Sequence, residues 1–201
     1  MSNFPPIPRL MQRLPRDERG YPIPIIVLRD AKGRPHFTVN NHHTVETCIA
    51  KRRCSLCGGP LGKTLWLIGG PLSAFAEGGA YLDPPVHEAC GAFALQTCPY
   101  LAAPKYARRI DGCTLNPADL PQAVLLVDKT MIPQRPPVFV FGETRGFTLT
   151  NPSRYIRPKQ PWRSLRFFLK GQEISAEEAE PLIDETFALQ GIIRPRQTEA
   201  A

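Results

Sequence analysis

Apolar residues in this chain come in short runs broken by proline and glycine, and few of them recur at helical spacing over a long stretch. The run YPIPIIVL at 21–28 and the run PHFTVN at 35–40 read as strands around a turn at 30–34, a hairpin. Pro22 and Pro24 lack the amide hydrogen of a ladder, so the strand proper is expected at 25–28, with its start on a sheet edge. Residues 43–51 predict a short helix, because Val45, Cys48 and Ile49 fall at i, i+3, i+4. A strand is expected at 64–69, then a loop over 70–83. Pro84 and Pro85 suit the opening of a helix over 86–97. Further strands are expected at 123–127, 138–141, 147–150 and 162–169, an antiparallel set with Pro and Gly turns. A last helix carries the capping-box pair Ser175 and Glu178 and a stop at Gly191. Pro181 lies too deep for a first turn begun at Ser175, so the pattern predicts a kink or a start near Glu180.

This pattern describes an α+β protein: an antiparallel sheet with a smaller module before it and a C-terminal helix. The expected organisation is a mobile Pro/Arg-rich arm at 1–20, a module at 21–110 that carries five of the six cysteines, a strand-rich region with its helix at 111–193, and a tail at 194–201. No apolar run approaches the ~20 residues of a membrane span, and prolines interrupt the N-terminus where a signal peptide needs its apolar core. The expectation is a cytoplasmic protein with no membrane partner. In such a compartment six cysteines are thiols or metal ligands rather than a disulfide framework.

Two of those cysteines stand in the stretch KRRCSLCGGP. Cys54 and Cys57, separated by two residues, can chelate one ion from a tight turn, with Gly58 free to take positive φ. In PPVHEAC, a helix would place His87 and Cys90 at i and i+3 on one face. Together they form a Cys₃His shell for zinc, in the ligand order of a treble clef. The alternative is four unrelated residues: cysteines buried as hydrophobes and a histidine capping a helix. A thiolate-rich, four-ligand shell is closed, so the expected Zn²⁺ is structural, and no catalytic residue is assigned. Glu88 is the one candidate base beside it, and a carboxylate in a first helical turn also favours the helix dipole. Cys98 lies too far along the helix to join the shell. Cys48 could replace a ligand only if its helix folds back, and Cys113 has no partner.

The runs GYPIPIIVLRD, RRCSLCGGPLG, PPVHEACGAFALQTCPYLA and FFLKGQEISAEEAE resemble a group of uncharacterised zinc-knuckle proteins of bacterial and phage genomes, over roughly residues 20–190. The resemblance implies a zinc-bearing protein and no particular reaction. HNH-like nucleases also use a treble clef, with a histidine base at the hairpin and Asn or His ligands on the helix. Residues 64–80 and the helix after Cys90 lack those residues, and the pair His42-His43 lies before the knuckle.

Charge adds a candidate partner. The net charge is +7, but six acidic and no basic residues fall between Glu173 and Glu185, leaving +13 on the remainder. Arg154, Arg157, Lys159, Arg163, Arg166 and Lys170 are unbroken by any acid. Strand alternation would put Trp162, Arg166, Phe168 and Lys170 on one face, a combination that holds phosphates and stacks on bases. Three readings stay open on this pattern: a nucleic-acid-binding accessory protein, an adaptor or inhibitor docking a protein partner on the same surface, and internal pairing with Glu177, Glu178 or Glu180 of the last helix. The clusters Lys51 to Arg53 and Lys105 to Arg109 would extend a basic surface.

Overall fold

A computed structural model describes residues 5–102, 136–151 and 154–195. The strand expected at 123–127, the Lys105 to Arg109 cluster, Cys113 and the last residues of the tail lie outside them.

The hairpin is present as β1 (Val27–Arg29) and β2 (Pro35–Asn40), antiparallel with a register shift after Val27. Asp30 fastens its turn. Its carboxylate accepts from the Lys32 and Arg34 amides and from Arg34 Nε at 2.7 to 2.9 Å. Those bonds, the Arg34 amide foremost, hold the carboxyl down at about 2. Helix α1 (His42–Ala50) is capped by the Asn41 side chain, which accepts from the Thr44 amide. Strand β3 (Leu65–Gly69) follows the knuckle. The loop expected at 70–83 holds a short helix, α2 (Pro71–Phe75), because Pro71 sits in the first turn and Leu72 and Ala74 bury against the sheet. Helices α3 (Glu88–Thr97) and α4 (Pro99–Ala102) complete the first half.

After residue 135 come β4 (Phe139–Thr144), β5 (Phe147–Leu149), β6 (Ile156–Pro158), β7 (Ser164–Leu169), β8 (Gln172–Ile174) and α5 (Ala176–Leu189). β6 and β8 are additional to the expected strands. β5 and β6 form a two-stranded ribbon, while β3, β4, β7 and β8 form one antiparallel sheet in that order. β7 turns into β8 through Lys170-Gly171, with φ of 51° and 83°, the left-handed pair that a two-residue hairpin needs.

The sheet has two covered faces. Trp66, Phe139, Phe141 and Phe168 face the metal module with Phe93 and Leu95 of α3. Val138, Val140 and Phe167 face α2 and α5, where Ala179, Ile183 and Phe187 are buried. Each fully buried aromatic or aliphatic side chain here contributes on the order of 1.5–3 kcal/mol. Because β3 pairs along its whole length with β4, from Leu65↔Thr144 to Gly69↔Val140, the division expected near residue 110 does not separate two cores.

The N-terminal segment departs from expectation too. Residues 5–20 are not a free arm: Met11 and Leu14 are buried in the metal-side core, and Ile7 packs against it. A 3₁₀ turn at Arg9–Met11 aims them inward. Helix α5 starts at its Ser175 capping box and runs through Pro181 rather than beginning near Glu180. Pro181 is exposed, so water can serve the Glu177 carbonyl that loses its amide partner.

Candidate metal centre

Cys54 and Cys57 lie on a knuckle closed at both ends. The Cys54 amide donates to the Gly59 carbonyl at 2.9 Å, and the Gly58 amide donates to the Cys54 carbonyl at 2.8 Å. Gly58 has φ of 73°, which lets the chain reverse beneath the sulfurs. The segment bearing the other two ligands is stitched to this turn. Ser55 donates from its amide to the Pro85 carbonyl and from its hydroxyl to the Pro84 carbonyl, at 3.1 and 3.0 Å. Val86 bridges to Trp66 of β3, so residues 84–86 are extended and the helix expected to open at the prolines opens only at Glu88. His87 is therefore the residue before α3. Its side chain makes no capping bond, which disposes of the helix-cap alternative.

One potential ligand atom from each of Cys54, Cys57, His87 and Cys90 lies within 4.8 Å of all the others. His87 Nδ1 is 3.3 Å from Cys57 Sγ and 3.8 Å from Cys90 Sγ. Those separations bracket the N···S edge of a tetrahedron, about 3.5 Å long, as follows from Zn–S near 2.3 Å and Zn–N near 2.0 Å. His87 Nε2 lies 3.0 Å from the Pro60 carbonyl. A carbonyl can only accept, so Nε2 carries the proton and the Nδ1 lone pair is left for a metal. Backbone amides complete the second layer: Gly59 donates to Cys57 Sγ and His87 to Cys54 Sγ, both at 3.4 Å.

All three sulfurs are buried, and they compete for one negative charge. The Cys54 side chain first, then Cys90, holds the Cys57 thiol far below its usual value, while the Cys54 and Cys90 thiols are pushed up, chiefly by their bonds to neighbouring sulfurs. A dication relieves that competition, and the residues present fit one. An ion held by all four donors would have no open position. Glu88 turns away from the cluster: Arg166 Nη1 donates to it at 3.2 Å. Cys48 is buried outside the cluster, its thiol raised to about 11 by burial, and Cys98 sits at the end of α3. His42 and His43 are exposed on α1.

The basic strand is arranged differently from its expected pattern. Phe168 is buried under the metal module and stacks edge-on to Phe141 at 6.2 Å. Trp162 precedes β7, and its ring lies on the other side, against α2, where Nε1 donates to the Ala74 carbonyl at 3.2 Å. Trp162 and Phe168 thus share no face. Alternation predicts an exposed face only when one side of the sheet is open, and here both are covered. Arg166 is also engaged, in a two-bond pair with Glu173 (2.7 and 2.6 Å) as well as with Glu88. Its partners are not Glu177, Glu178 or Glu180. Glu180 instead joins Asp184 in holding Arg194. Arg154, Arg157, Lys159 and Lys170 remain exposed, on the β5–β6 ribbon and the β7–β8 turn.

A tighter basic group surrounds the knuckle. Arg13 Nη2 donates to the Cys57 carbonyl at 3.1 Å, Arg53 Nη1 to the Gly58 carbonyl at 2.9 Å, and Arg52 Nη2 to the Gly62 carbonyl at 3.4 Å. All three arginines, with Lys51 and Lys63, are exposed. No acidic residue occurs between Glu46 and Glu77. The contribution of Arg13 was not foreseen, although Ile7, Met11 and Leu14 at i, i+4, i+7 carried a signal that this segment packs. Comparison of the chain with protein-family models, curated proteins and solved structures gave no match.

Proposed function

We propose that this is a nucleic-acid-binding accessory protein whose Cys54, Cys57, His87 and Cys90 hold a structural Zn²⁺ in a treble-clef-like module. The resemblance to bacterial and phage zinc-knuckle proteins belongs to the same proposal. The observation that carries it is the anchoring of Arg13, Arg52 and Arg53 on the knuckle carbonyls. Each guanidinium uses one donor on the backbone and has others to offer toward solvent. Prepositioned arginines, two of them within the acid-free stretch from Thr47 to Ala76, suit a row of phosphates, and they lose little side-chain entropy on binding. A closed Cys₃His shell favours a scaffold over a reaction centre, so the protein is proposed as a binder rather than a nuclease.

The test is a salt titration of duplex binding by the zinc-loaded full chain. Affinity should fall log-linearly with salt, and the paired replacement Arg13→Gln and Arg53→Gln should flatten the slope by ~1.8, two phosphate contacts' worth. Zinc content should not change. Absence of binding at low salt would overturn the reading. Tight binding of an acidic protein with weak salt dependence would point to the adaptor or inhibitor instead.

A further inference from the structure

A second basic feature lies away from the knuckle. Between the β4–β5 turn and the segment leading into β7 is a cleft of about 470 Å³, lined by Glu143, Arg145, Lys159, Gln160, Trp162 and Arg163. Three cations face one carboxylate there, and that carboxylate is occupied, since Arg163 Nε lies 3.4 Å from Glu143 Oε1. The cleft's frame is fixed. The Thr144 hydroxyl, fully buried, reaches the carbonyls of Lys159 (2.8 Å) and Gly146 (2.9 Å), and the Lys159 amide donates to the Gly146 carbonyl at 2.8 Å. Lys159's aliphatic stem passes beside Gly146, where a Cβ would lie 3.6 Å from its Cδ. Trp162, also lining the cleft, is held by its bond to Ala74 and by close contact with Gly142, where a Cβ would lie 2.6 Å from the ring. Arg145 and Lys159 make no ion pair among the described residues.

We propose that this cleft is a binding site for a nucleoside monophosphate or a phosphate ester of that size. The net charge of +2 in a concave, partly apolar setting raises the local potential for a dianion. Arg145 and Lys159, at the rim, take the phosphate oxygens through charge-assisted bonds. The volume is within the ~300–1,000 Å³ of small-molecule sites and far exceeds what a bare phosphate fills. The Trp162 ring and the Gln160 carboxamide then meet the organic part, one as an apolar wall and the other as a hydrogen-bonding edge. The site is separate from the knuckle arginines and does not depend on them.

Calorimetric titration of the zinc-loaded full chain at low salt, with adenosine monophosphate, inorganic phosphate and adenosine as probes, tests the assignment. Adenosine monophosphate should bind once per chain, at least roughly tenfold tighter than phosphate, and adenosine should not bind measurably. Arg145→Gln and Lys159→Gln should each weaken it about tenfold, whereas Glu143→Gln should tighten it severalfold by removing the opposing charge. The pair Arg13→Gln and Arg53→Gln should leave it unchanged, so failure here is distinguishable from failure at the knuckle. The assignment is overturned by the absence of saturable binding, by equal affinity for phosphate or adenosine, or by an affinity that Arg145→Gln and Lys159→Gln leave intact in a normally melting protein.

Discussion

Replacing Arg166 separates a strand arginine built into the fold from one held out for a ligand. Its side chain is 24% exposed and sits between Glu173 and Glu88, with its guanidinium carbon 5.5 Å from the Phe168 ring centre and 5.8 Å from that of Phe141. Arg166→Met keeps an apolar stem on those rings and deletes the ion pairs. Both carboxylate partners are about half exposed, so solvent screens them, and the two-bond geometry supports a value near the top of the surface range, about 1 kcal/mol. Arg166→Ala also removes the stem and the cation–π contact, about 1 kcal/mol more. In a chain this long each kcal/mol moves the melting temperature by about 2–4 °C. Arg166→Met should therefore lower Tm by about 2–4 °C and Arg166→Ala by about 4–8 °C in thermal melts followed by circular dichroism. The pH dependence has a defined sign. Arg166 holds the Glu173 carboxyl below its ordinary value, so the stabilisation is present above the unfolded-state pKa and is lost as pH falls through the depressed folded one. The gap between wild type and Arg166→Met should close on acidification. An unchanged Tm in Arg166→Met, accompanied by weaker nucleic-acid binding, would refute this account and restore an exposed binding face on β7.

Metal analysis should find one zinc per chain, and Cys57→Ala should lose it together with the metal-side tertiary signal, since zinc-site binding energies of about 10–16 kcal/mol rival the whole stability of a domain; full zinc content in that variant would exclude Cys57 as a ligand, and Cys48→Ala should keep its metal. Gly91→Ala should lower stability by about 1–3 kcal/mol through overpacking, because the added methyl would lie 2.6 Å from two Phe141 ring carbons and 2.8 Å from Val86 Cγ2. Unaltered melting would mean that α3 does not rest on β4 as closely as described.

The four clustered ligands were legible because chelation by a short turn imposes spacing on the sequence itself, and the Ser175–Glu178 box was legible because its bonds are local. Chain-distant relations were not. Nothing near Leu65 or Thr144 announces that they are partners across a sheet, since antiparallel pairing leaves no residue-by-residue mark on either strand. Phe167 and Phe168 show a related limit. Adjacent residues on a strand face opposite ways, and only the presence of α5 on one side and the metal module on the other decides that both are buried. Pro181 misled for a different reason: a rule about lost amide bonds predicts a break, but on an exposed turn water offsets the loss.

The pairing of β3 with β4 has a bearing on how the chain assembles during synthesis. All four residues of the candidate metal cluster precede residue 91, whereas the strand that completes β3 begins at Phe139, so the cluster emerges from the ribosome well before that strand. For that interval Leu65, Trp66 and Leu67, each nearly inaccessible in the finished protein, belong to an apolar strand with an unsatisfied edge, the kind of segment that pairs with other copies of itself. A metal captured early would hold residues 84–87 against Trp66 through the Val86 bridge and so shield one side of that strand before its permanent neighbour arrives. Scarce zinc would then act through the yield of soluble protein, by leaving nascent chains open to aggregation, as well as through the stability of those already folded.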